Sequence, residues 1–280
     1  MIGADMNVSD STGQYALGNT EAEHERLTRQ AAQFEPITER LFQAAGVGPG
    51  QRVVELGSGA GDVAMLVARI VGPSGEVVGV ERNENSVAYA SARVAKAGLR
   101  NVRFTQSDVS RISEAQPFDA AVGRFILQFV PDPAAVVRSL TRLVRPGGAI
   151  AFQEVYWDVV LLVAGDLPLN CAARSLVHAT IQKSGASTDM GPNLRKVFHA
   201  AGLPAPSMHL DMALSNERDY ARELVAILQS LCPRIDTSDS RLTMLGDFGT
   251  LAQRLEDEIA STDSAVPWLA TVSAWTKVPT

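Results

Sequence analysis

The sequence predicts an α/β protein with a doubly wound, mostly parallel sheet of seven strands and a helical lid inserted after strand five. Apolar strand patterns alternate with helical patterns from 52 to 154, which implies right-handed crossovers and a sheet covered on both faces. The first strand runs into a loop with glycines at 57, 59 and 61 and then into a helical pattern. After strand five the pattern becomes helical over 158–187.

The elements of the first half follow one another through short loops. Gly72-Pro73 and Gly98 are typical ends of a helix, and Asp132-Pro133 is a typical start. We expect strands at about 52–56, 76–81, 102–105, 118–122 and 149–154, and helices at about 61–71, 83–97 and 133–144.

The flanking regions complete the domain organisation. Residues 21–45 have helical spacing, although Pro36 predicts a break or kink between two shorter helices. Beyond the lid, the pattern predicts helices at 193–201, 219–231 and 247–259 and strands at 207–214 and 268–278. The expected organisation is an N-terminal helical cover at 1–45, a cofactor-binding core at 46–157, a lid over the acceptor site at 158–190 and a sheet-completing segment at 191–280.

Composition indicates an ordinary globular protein that acts on a small molecule. The net charge of -6 and the absence of Lys or Arg blocks argue against general nucleic-acid or anionic-membrane binding. Cys171 and Cys232 lie far apart in no metal-like spacing, so we expect partly buried free thiols and no metal site. Without a signal-like N-terminus or a spanning apolar run, we expect a cytoplasmic protein, and a homodimer remains open.

Three acids fall at the carboxyl ends of successive predicted strands: Glu55, Glu81 and Asp108. In a doubly wound sheet these points border one crevice, where ligands bind. Glu81 is well placed to accept both hydroxyls of a ribose, and Asp108 could accept from the exocyclic amine of adenine. The pattern therefore indicates a cofactor that contains adenosine, although any one of these acids alone could be a solvated surface group.

Two cofactor classes contain an adenosine group: dinucleotides and S-adenosylmethionine. The dinucleotide pattern G-x-G-x-x-G places pyrophosphate on a helix N-terminus, whereas Glu55 and Asp62 flank this loop and would repel it. The same acids favour a ligand with an ammonium and a sulfonium group. The residues point to S-adenosylmethionine, with a nucleotide-dependent oxidoreductase and a non-catalytic S-adenosylmethionine-binding protein as alternatives.

The motifs VVELGSGAG, GVERN, QSDVS, PFDAAVGRFILQFVPDP and RLVRPGGAIAFQE resemble those of class I S-adenosylmethionine-dependent methyltransferases, which have a Rossmann-like fold. The similarity is strong over about 14–157, and the chain is similar to the bacterial small-molecule group that includes ubiquinone and menaquinone C-methyltransferases. One departure is Gln128, where many relatives have a histidine.

The resemblance implies the following cofactor contacts. The methionine moiety would lie against Gly57, Ser58, Gly59 and Gly61, with its ammonium at Glu55. The adenosine would contact Glu81, Arg82, Asp108 and the Val109 amide. The sulfur would lie near Gly123 and Arg124, and the carboxylate would be covered by Tyr15, Arg26 and Gln30. The alternative for these three residues is a generic amphipathic helix.

Catalysis of methyl transfer depends mainly on alignment, which alone can supply about 7–11 kcal/mol. A general base is needed only if the acceptor arrives protonated. The candidates are Glu154, Tyr156 and His178, with Tyr15 as a fourth. Each has a structural alternative, because Glu154 could anchor a loop, Tyr156 could be core and His178 could be a packed histidine. The acceptor and its accepting atom stay open.

Overall fold

The computed structural model describes residues 21–108, 111–112, 114–162, 166–212, 214–215, 218–262 and 265–280. Two of the expected site residues, Tyr15 and Val109, lie outside the described residues. The described strands are β1 Arg52–Leu56, β2 Glu76–Glu81, β3 Val102–Gln106, β4 Phe118–Arg124, β5 Val144–Val155, β6 Ser207–Asp211, β7 Leu214–Ser215, β8 Val266–Pro267 and β9 Thr271–Lys277.

Seven of these strands form one sheet in the spatial order β3-β2-β1-β4-β5-β9-β6. The first five strands in this order run parallel, and β9 is antiparallel to both β5 and β6. The strands β7 and β8 pair separately. This confirms the predicted α/β sheet, and because β1 lies between β2 and β4, the ligand-binding crevice forms at their carboxyl ends.

The described α-helices are α1 Glu21–Ala44, α2 Asp62–Val71, α3 Glu84–Lys96, α4 Pro133–Leu143, α5 Trp157–Leu162, α6 Pro168–Lys183, α7 Met190–Ala200, α8 Arg218–Leu231, α9 Arg241–Leu245 and α10 Phe248–Thr262. Helices α1 and α2 pack on one face of the sheet, where Phe42 and Val67 are fully buried. Helices α4 and α7 pack on the other face around Leu140 and Leu194. Within the described part of the chain, no helix combines the length and apolarity needed to cross a bilayer.

The segment predicted as a lid, 158–190, contains α6 and most of α5, and it packs against other helices of the chain. Helix α6 packs against α8, α9 and α10, and these helices share one buried core with α1. Residues 218–262 therefore form one helical layer together with α6. The sequence pattern instead predicts that they belong to the sheet-completing segment 191–280. Among the described residues of 191–280, β6 and β9 are the strands that join the large sheet. The hydrophobic effect holds this helical layer in place, because its helices bury a large apolar surface against one another.

Helix α1 lies across the carboxyl edge of the sheet. Near its start, His24 contacts the hydroxyl of Ser86 at the beginning of α3, with Nε2 and Oγ 3.1 Å apart. Farther along the helix, the hydroxyl of Thr38 is 2.7 Å from Oε1 of Gln153 in β5. The helix thus covers the crevice from the β2 side to the β5 side.

The prediction that Pro36 divides this region into two helices is wrong, because α1 is continuous from Glu21 to Ala44. Proline lacks an N–H and removes one hydrogen bond from the ladder, at a cost of about 3 kcal/mol in a helix interior. Burial of Phe34 before it and of Leu41 and Phe42 after it offsets that cost, since each buried side chain of this size contributes about 1.5–3 kcal/mol. Tertiary packing has overridden the local signal.

Candidate functional site

The loop between β1 and α2 turns through three glycines in the left-handed region. The φ angles of Gly57, Gly59 and Gly61 are +70°, +49° and +86°. Residues other than glycine adopt these angles only with strain. Three such positions in five residues hold the loop backbone in a tight curve at the carboxyl end of β1.

The three glycines differ in what surrounds them. A Cβ on Gly57 would lie 2.6 Å from the side chain of Ile126, and one on Gly61 would lie 3.0 Å from Cβ of Ala90. These two glycines are therefore required for packing as well as for φ. A Cβ on Gly59 would meet nothing within 4 Å. Gly59 thus faces open space beside the loop, where a ligand can approach the backbone. We call this space at Gly59 the open cradle.

Glu55 lies beneath this loop and is almost completely buried, with 1% of its surface exposed. Its Oε2 has no hydrogen-bond partner among the described residues. Burial raises the pKa of Glu55 to about 8, while the nearby Ser58 hydroxyl and Arg124 act in the opposite direction. The Ser58 hydroxyl oxygen is likewise buried without a hydrogen-bond partner among the described residues. An unpaired buried carboxylate is costly unless a ligand supplies a cation.

Arg124, at the end of β4, is the cation whose charge acts on Glu55. Its Nη1 donates to the hydroxyl of Thr38 in α1 at 3.2 Å, and no carboxylate of the described chain lies within ion-pair distance of it. Burial lowers the pKa of Arg124, although Asp62 and Glu55 oppose the shift. A carboxylate on a ligand would find a positive partner in Arg124, close to the carboxyl group of Glu55.

Glu81, at the end of β2, accepts three backbone hydrogen bonds. Its Oε2 accepts from the Gly59 N–H at 3.0 Å, and its Oε1 accepts from the N–H groups of Arg82 and Asn83 at 2.8 and 2.9 Å. A carboxylate has about four acceptor positions, so a free position remains on Oε2 for a ribose hydroxyl. Glu81 therefore holds the glycine loop in place as well as facing the crevice.

We expect Glu81→Ala to weaken S-adenosylhomocysteine binding by at least about tenfold, because charge-assisted hydrogen bonds contribute about 1.5–3 kcal/mol. It should also lower the free energy of unfolding of the ligand-free protein by about 1–3 kcal/mol, since three N–H groups lose their acceptor. Calorimetry and chemical denaturation measure the two effects. Glu84→Ala, at an exposed position in α3, is the matched control. Unchanged affinity in Glu81→Ala would remove Glu81 from the cofactor site.

Asp108 and Arg82 lie at the outer end of the same edge. Their side chains are 3.9 Å apart at closest approach and both are substantially exposed, so they can reorient around a ligand. Asp62, in the first turn of α2, forms an ion pair with Arg93 of α3 at 2.7 Å. Arg93 largely neutralises the charge of Asp62, so the prediction that Asp62 repels a pyrophosphate is weakened.

The expected cover residues Arg26 and Gln30 are both buried in α1. Arg26 forms two hydrogen bonds to Glu23, at 2.8 and 2.7 Å, and Glu23 also accepts from Ser230 of α8. This buried ion pair fastens α1 to α8. The Nε and Nη2 groups of Arg26 donate to Glu23, so Arg124, which has no carboxylate partner among the described residues, is a second candidate for the partner of a ligand carboxylate.

Gly123 is close to the loop but serves packing. A Cβ there would lie 2.4 Å from the ring of Phe152 and 3.2 Å from Ile126. Two residues on, Phe125 has a φ of +55°, a strained value that is uncommon for an aromatic residue and typical of functional loops. The ring of Phe125 packs edge-on against Phe34 of α1, with centroids 5.2 Å apart.

Glu154 is completely buried in β5 and anchors the loop that follows β4. Its Oε1 accepts from the N–H groups of Ile126 and Leu127 at 3.0 and 2.8 Å, and its Oε2 accepts from Gln128 at 3.3 Å. Burial raises the pKa of Glu154 to about 8, while the three N–H groups lower it. With no exposed surface and its oxygens occupied, Glu154 has the geometry of a loop anchor rather than of a base.

Replacing Glu154 by alanine should lower the free energy of unfolding by at least about 2 kcal/mol, because the N–H groups of Leu127 and Gln128 stay buried without an acceptor. Glu154→Gln should lie between the parent and Glu154→Ala, since its single amide oxygen can still accept from part of the loop. Chemical denaturation of the three proteins gives the ranking. A glutamine variant as stable as the parent but without turnover would instead assign Glu154 to catalysis.

The other two candidate bases in the described chain lie beside different hydrophobic cores. Tyr156 packs with the sheet and α7, where a Cβ on Gly191 would lie 3.3 Å from it. His178 lies in the helical layer, with its Nε2 2.7 Å from Oδ1 of Asp158. His178 and Tyr156 therefore pack in different surroundings. His178 pairs with Asp158, an acid that is not among the candidates predicted from the sequence.

The comparisons with known proteins agree with this geometry. A family profile described as a methyltransferase domain matches residues 48–202, more than half of the chain. The chain belongs to the methyltransferase-domain family. Its cofactor is accordingly S-adenosylmethionine, which fits the open cradle at Gly59 and the unpaired carboxylate of Glu55.

Individual relatives show how far the similarity extends. An arsenite methyltransferase from Halobacterium salinarum is 32% identical over 112 residues, which cover 40% of this chain and 29% of the relative. A demethylmenaquinone methyltransferase from Bacillus cytotoxicus is 30% identical, covering 56% of this chain and 71% of the relative. The chain spans less than half of the length of several curated relatives that it matches.

One solved structure extends the fold comparison over most of the chain. A candidate methyltransferase from Bacillus halodurans superimposes with a TM-score of 0.59 at 17% identity, covering 87% of this chain and 99% of that chain. This similarity shows the Rossmann-like methyltransferase fold. The substrate must be argued from the residues of this chain.

Proposed function

We propose that the protein transfers a methyl group from S-adenosylmethionine to an organic small molecule that docks at the carboxyl edge of the sheet. The observation that carries the proposal is the conjunction of Gly59, which faces an open cradle, with the buried, unpaired carboxylate of Glu55. A cationic ligand that approaches main chain closely satisfies both groups. S-adenosylmethionine carries both an ammonium and a sulfonium group.

Different residues of the site would bind different groups of the cofactor. Glu55 would hold the ammonium, Arg124 the carboxylate and Glu81 a ribose hydroxyl, while the edge at Asp108 is placed to take the adenine amine. When bound, the cofactor supplies a methyl group already activated by the sulfonium charge. The protein must then align acceptor and methyl group in a water-excluded site, the role to which α1 and the helical layer are suited.

The acceptors named for the relatives do not transfer directly to this chain. Soft ions such as trivalent arsenic favour thiolate ligands. This chain has two cysteines, of which Cys171 is half-buried on α6 and Cys232 is exposed beyond α8. This pair is a poor trap for arsenite, so we favour an organic acceptor.

Turnover tests the proposal directly. The protein is incubated with a metabolite extract and with S-adenosylmethionine labelled in the methyl group. The label that appears in a solvent-extractable product is counted, and the S-adenosylhomocysteine formed is quantified separately by mass spectrometry. Both products should form in equal amounts, and at subsaturating S-adenosylmethionine their rate of formation should fall at least about tenfold in Glu55→Gln. Tight cofactor binding with no labelled product from any extract would favour a non-catalytic S-adenosylmethionine-binding protein instead.

A further inference from the structure

A pocket opens in the helical layer between α5, α6 and α8 and the segment 267–269. Its walls are mainly apolar, with Trp157, Leu161, Val177, Leu224 and Trp268 among the residues that line it. The guanidinium of Arg174 also lines the pocket, but it donates hydrogen bonds to the Asn170 side chain, the Tyr220 hydroxyl and the Pro267 carbonyl. Burying an ionic group against such walls would be costly, whereas a flat hydrocarbon ring gains about 25 cal/mol for each Å² of apolar surface removed from water. The lining therefore favours an uncharged aromatic or similar apolar ligand.

The pocket lies at the same edge of the sheet as the cofactor loop. Strand β5 runs directly into α5, and Val155 pairs with Thr271, so the segment before β9 emerges beside it. The indole N–H of Trp157 donates to Oε1 of Gln128 at 3.1 Å. The pocket wall is thus connected to the loop after β4, and Ile126 of that loop packs on Gly57.

Most of the polar atoms in the pocket are already paired. The Tyr220 hydroxyl donates to Oδ1 of Asn170 at 2.7 Å and accepts from Nε of Arg174 at 2.6 Å. Burial raises the pKa of Tyr220 to about 12, although Arg174 opposes the shift. Tyr220 therefore keeps its proton at neutral pH and cannot act as a base.

His178 lines the pocket and has a ring nitrogen that can accept a hydrogen bond from a ligand. Its Nε2 is paired with Asp158, and within the described chain its Nδ1 has no hydrogen-bond partner. A carboxylate that accepts from one ring N–H leaves a lone pair on the other nitrogen. The indole nitrogen of Trp268, a residue only 8% exposed, also lacks a partner among the described residues and can donate to a ligand oxygen.

We propose that this pocket binds the methyl acceptor as an uncharged, planar, apolar molecule carrying a phenol-type hydroxyl, and that His178, positioned by Asp158, removes the hydroxyl proton. This inference rests on the proposed function and adds the acceptor class and the base. The O–H bond breaks and its proton passes to Nδ1 of His178. The electron pair on the acceptor oxygen would then form the new bond to the methyl carbon of S-adenosylmethionine. At the same time the bond between that carbon and the sulfonium sulfur would break, and the electrons of that bond would stay on the sulfur. The Asp158 side chain is 45% exposed, so the proton can leave the pair for water.

Binding of 2-naphthol to the protein loaded with S-adenosylhomocysteine tests the inference, with 2-methoxynaphthalene as the matched ligand that has no proton to give. Quenching of tryptophan fluorescence measures affinity, and the absorbance of naphtholate reports proton transfer. The parent should bind 2-naphthol at least about tenfold more tightly and show naphtholate absorbance below its normal pH range. Equal affinity for the two ligands, or no binding of 2-naphthol, would overturn the inference.

Variants separate the pocket from the base. His178→Gln should remove the preference for 2-naphthol and the naphtholate signal while 2-methoxynaphthalene still binds, whereas His199→Gln, on an exposed part of α7, should behave like the parent. Asp158→Asn should weaken the naphtholate signal without loss of binding, and Val177→Phe should block both ligands. A preference unchanged in His178→Gln would contradict its role.

Binding of S-adenosylhomocysteine should be the same in all four variants. If the parent itself fails to bind S-adenosylhomocysteine, both the proposed function and this inference fall. If it binds S-adenosylhomocysteine but not 2-naphthol, the proposed function stands and only the acceptor class is wrong.

Discussion

Replacing Gly59 by valine should weaken S-adenosylhomocysteine binding by at least about 100-fold, equivalent to about 2.7 kcal/mol. A side chain there would enter the open cradle, and a β-branched residue at a φ of +49° would also distort the loop. Calorimetry measures the loss. Among the three loop glycines this change alters the cradle most directly, because Gly57 and Gly61 face protein side chains.

Gly202→Val is the matched control for this substitution. Gly202 follows α7 and has a φ of +85°, and a Cβ there, as on Gly59, would meet nothing within 4 Å. Both variants should lose about 1–3 kcal/mol of stability through backbone strain, but only Gly59→Val should lose cofactor affinity. Equal affinities in the two variants would show that the cradle does not hold the cofactor.

Cofactor binding should tighten about tenfold per pH unit from about pH 6 to pH 8 and then level off. The raised pKa of Glu55, about 8, means that this carboxyl is mostly protonated in the ligand-free protein at neutral pH. An ammonium group favours the ionised form, so binding must release a proton, and the affinity follows the linkage relation. Calorimetry in buffers of different ionisation enthalpy should count close to one proton released at about pH 7.

Glu55→Gln provides the control for this pH dependence. The variant should bind S-adenosylhomocysteine at least about tenfold more weakly at about pH 8 and show little change with pH, since the amide does not titrate. A carboxyl whose pKa is raised on folding stabilises most below its unfolded pKa, and that contribution is lost as pH rises towards about 8. The parent should therefore lose stability relative to Glu55→Gln over this range. A parent whose affinity does not vary with pH would contradict the role of Glu55.

The sheet and the position of the cofactor loop could be predicted because both depend on local patterns. The strand runs ending near Leu56 and Glu81, with helices between them, lead to a parallel sheet through the handedness rule. The glycines at 57, 59 and 61 mark the loop directly, and all three have the positive φ that makes glycine necessary.

Other features depend on contacts that are distant in sequence. The pairing of Asp62 with Arg93, the three N–H groups on Glu154 and the pairing of His178 with Asp158 all join separate elements. Pro36 shows the same limit, because packing over the sheet outweighs the local preference for a break. An acid at a strand end, such as Glu154, can be recognised in the sequence as a candidate functional residue. Its position alone does not distinguish a catalytic base from a loop anchor.

The central claim is that the loop at 57–61 with Glu55 and Glu81 forms a site for S-adenosylmethionine. Titration of the ligand-free protein with S-adenosylhomocysteine and with NAD in one calorimetric series tests it most directly. The account predicts that S-adenosylhomocysteine binds at least about 100-fold more tightly, because its ammonium group favours ionisation of the buried Glu55 carboxyl and pairs with it, whereas a pyrophosphate at the loop brings no cation to that carboxyl. NAD binding as tight as that of S-adenosylhomocysteine would contradict the account.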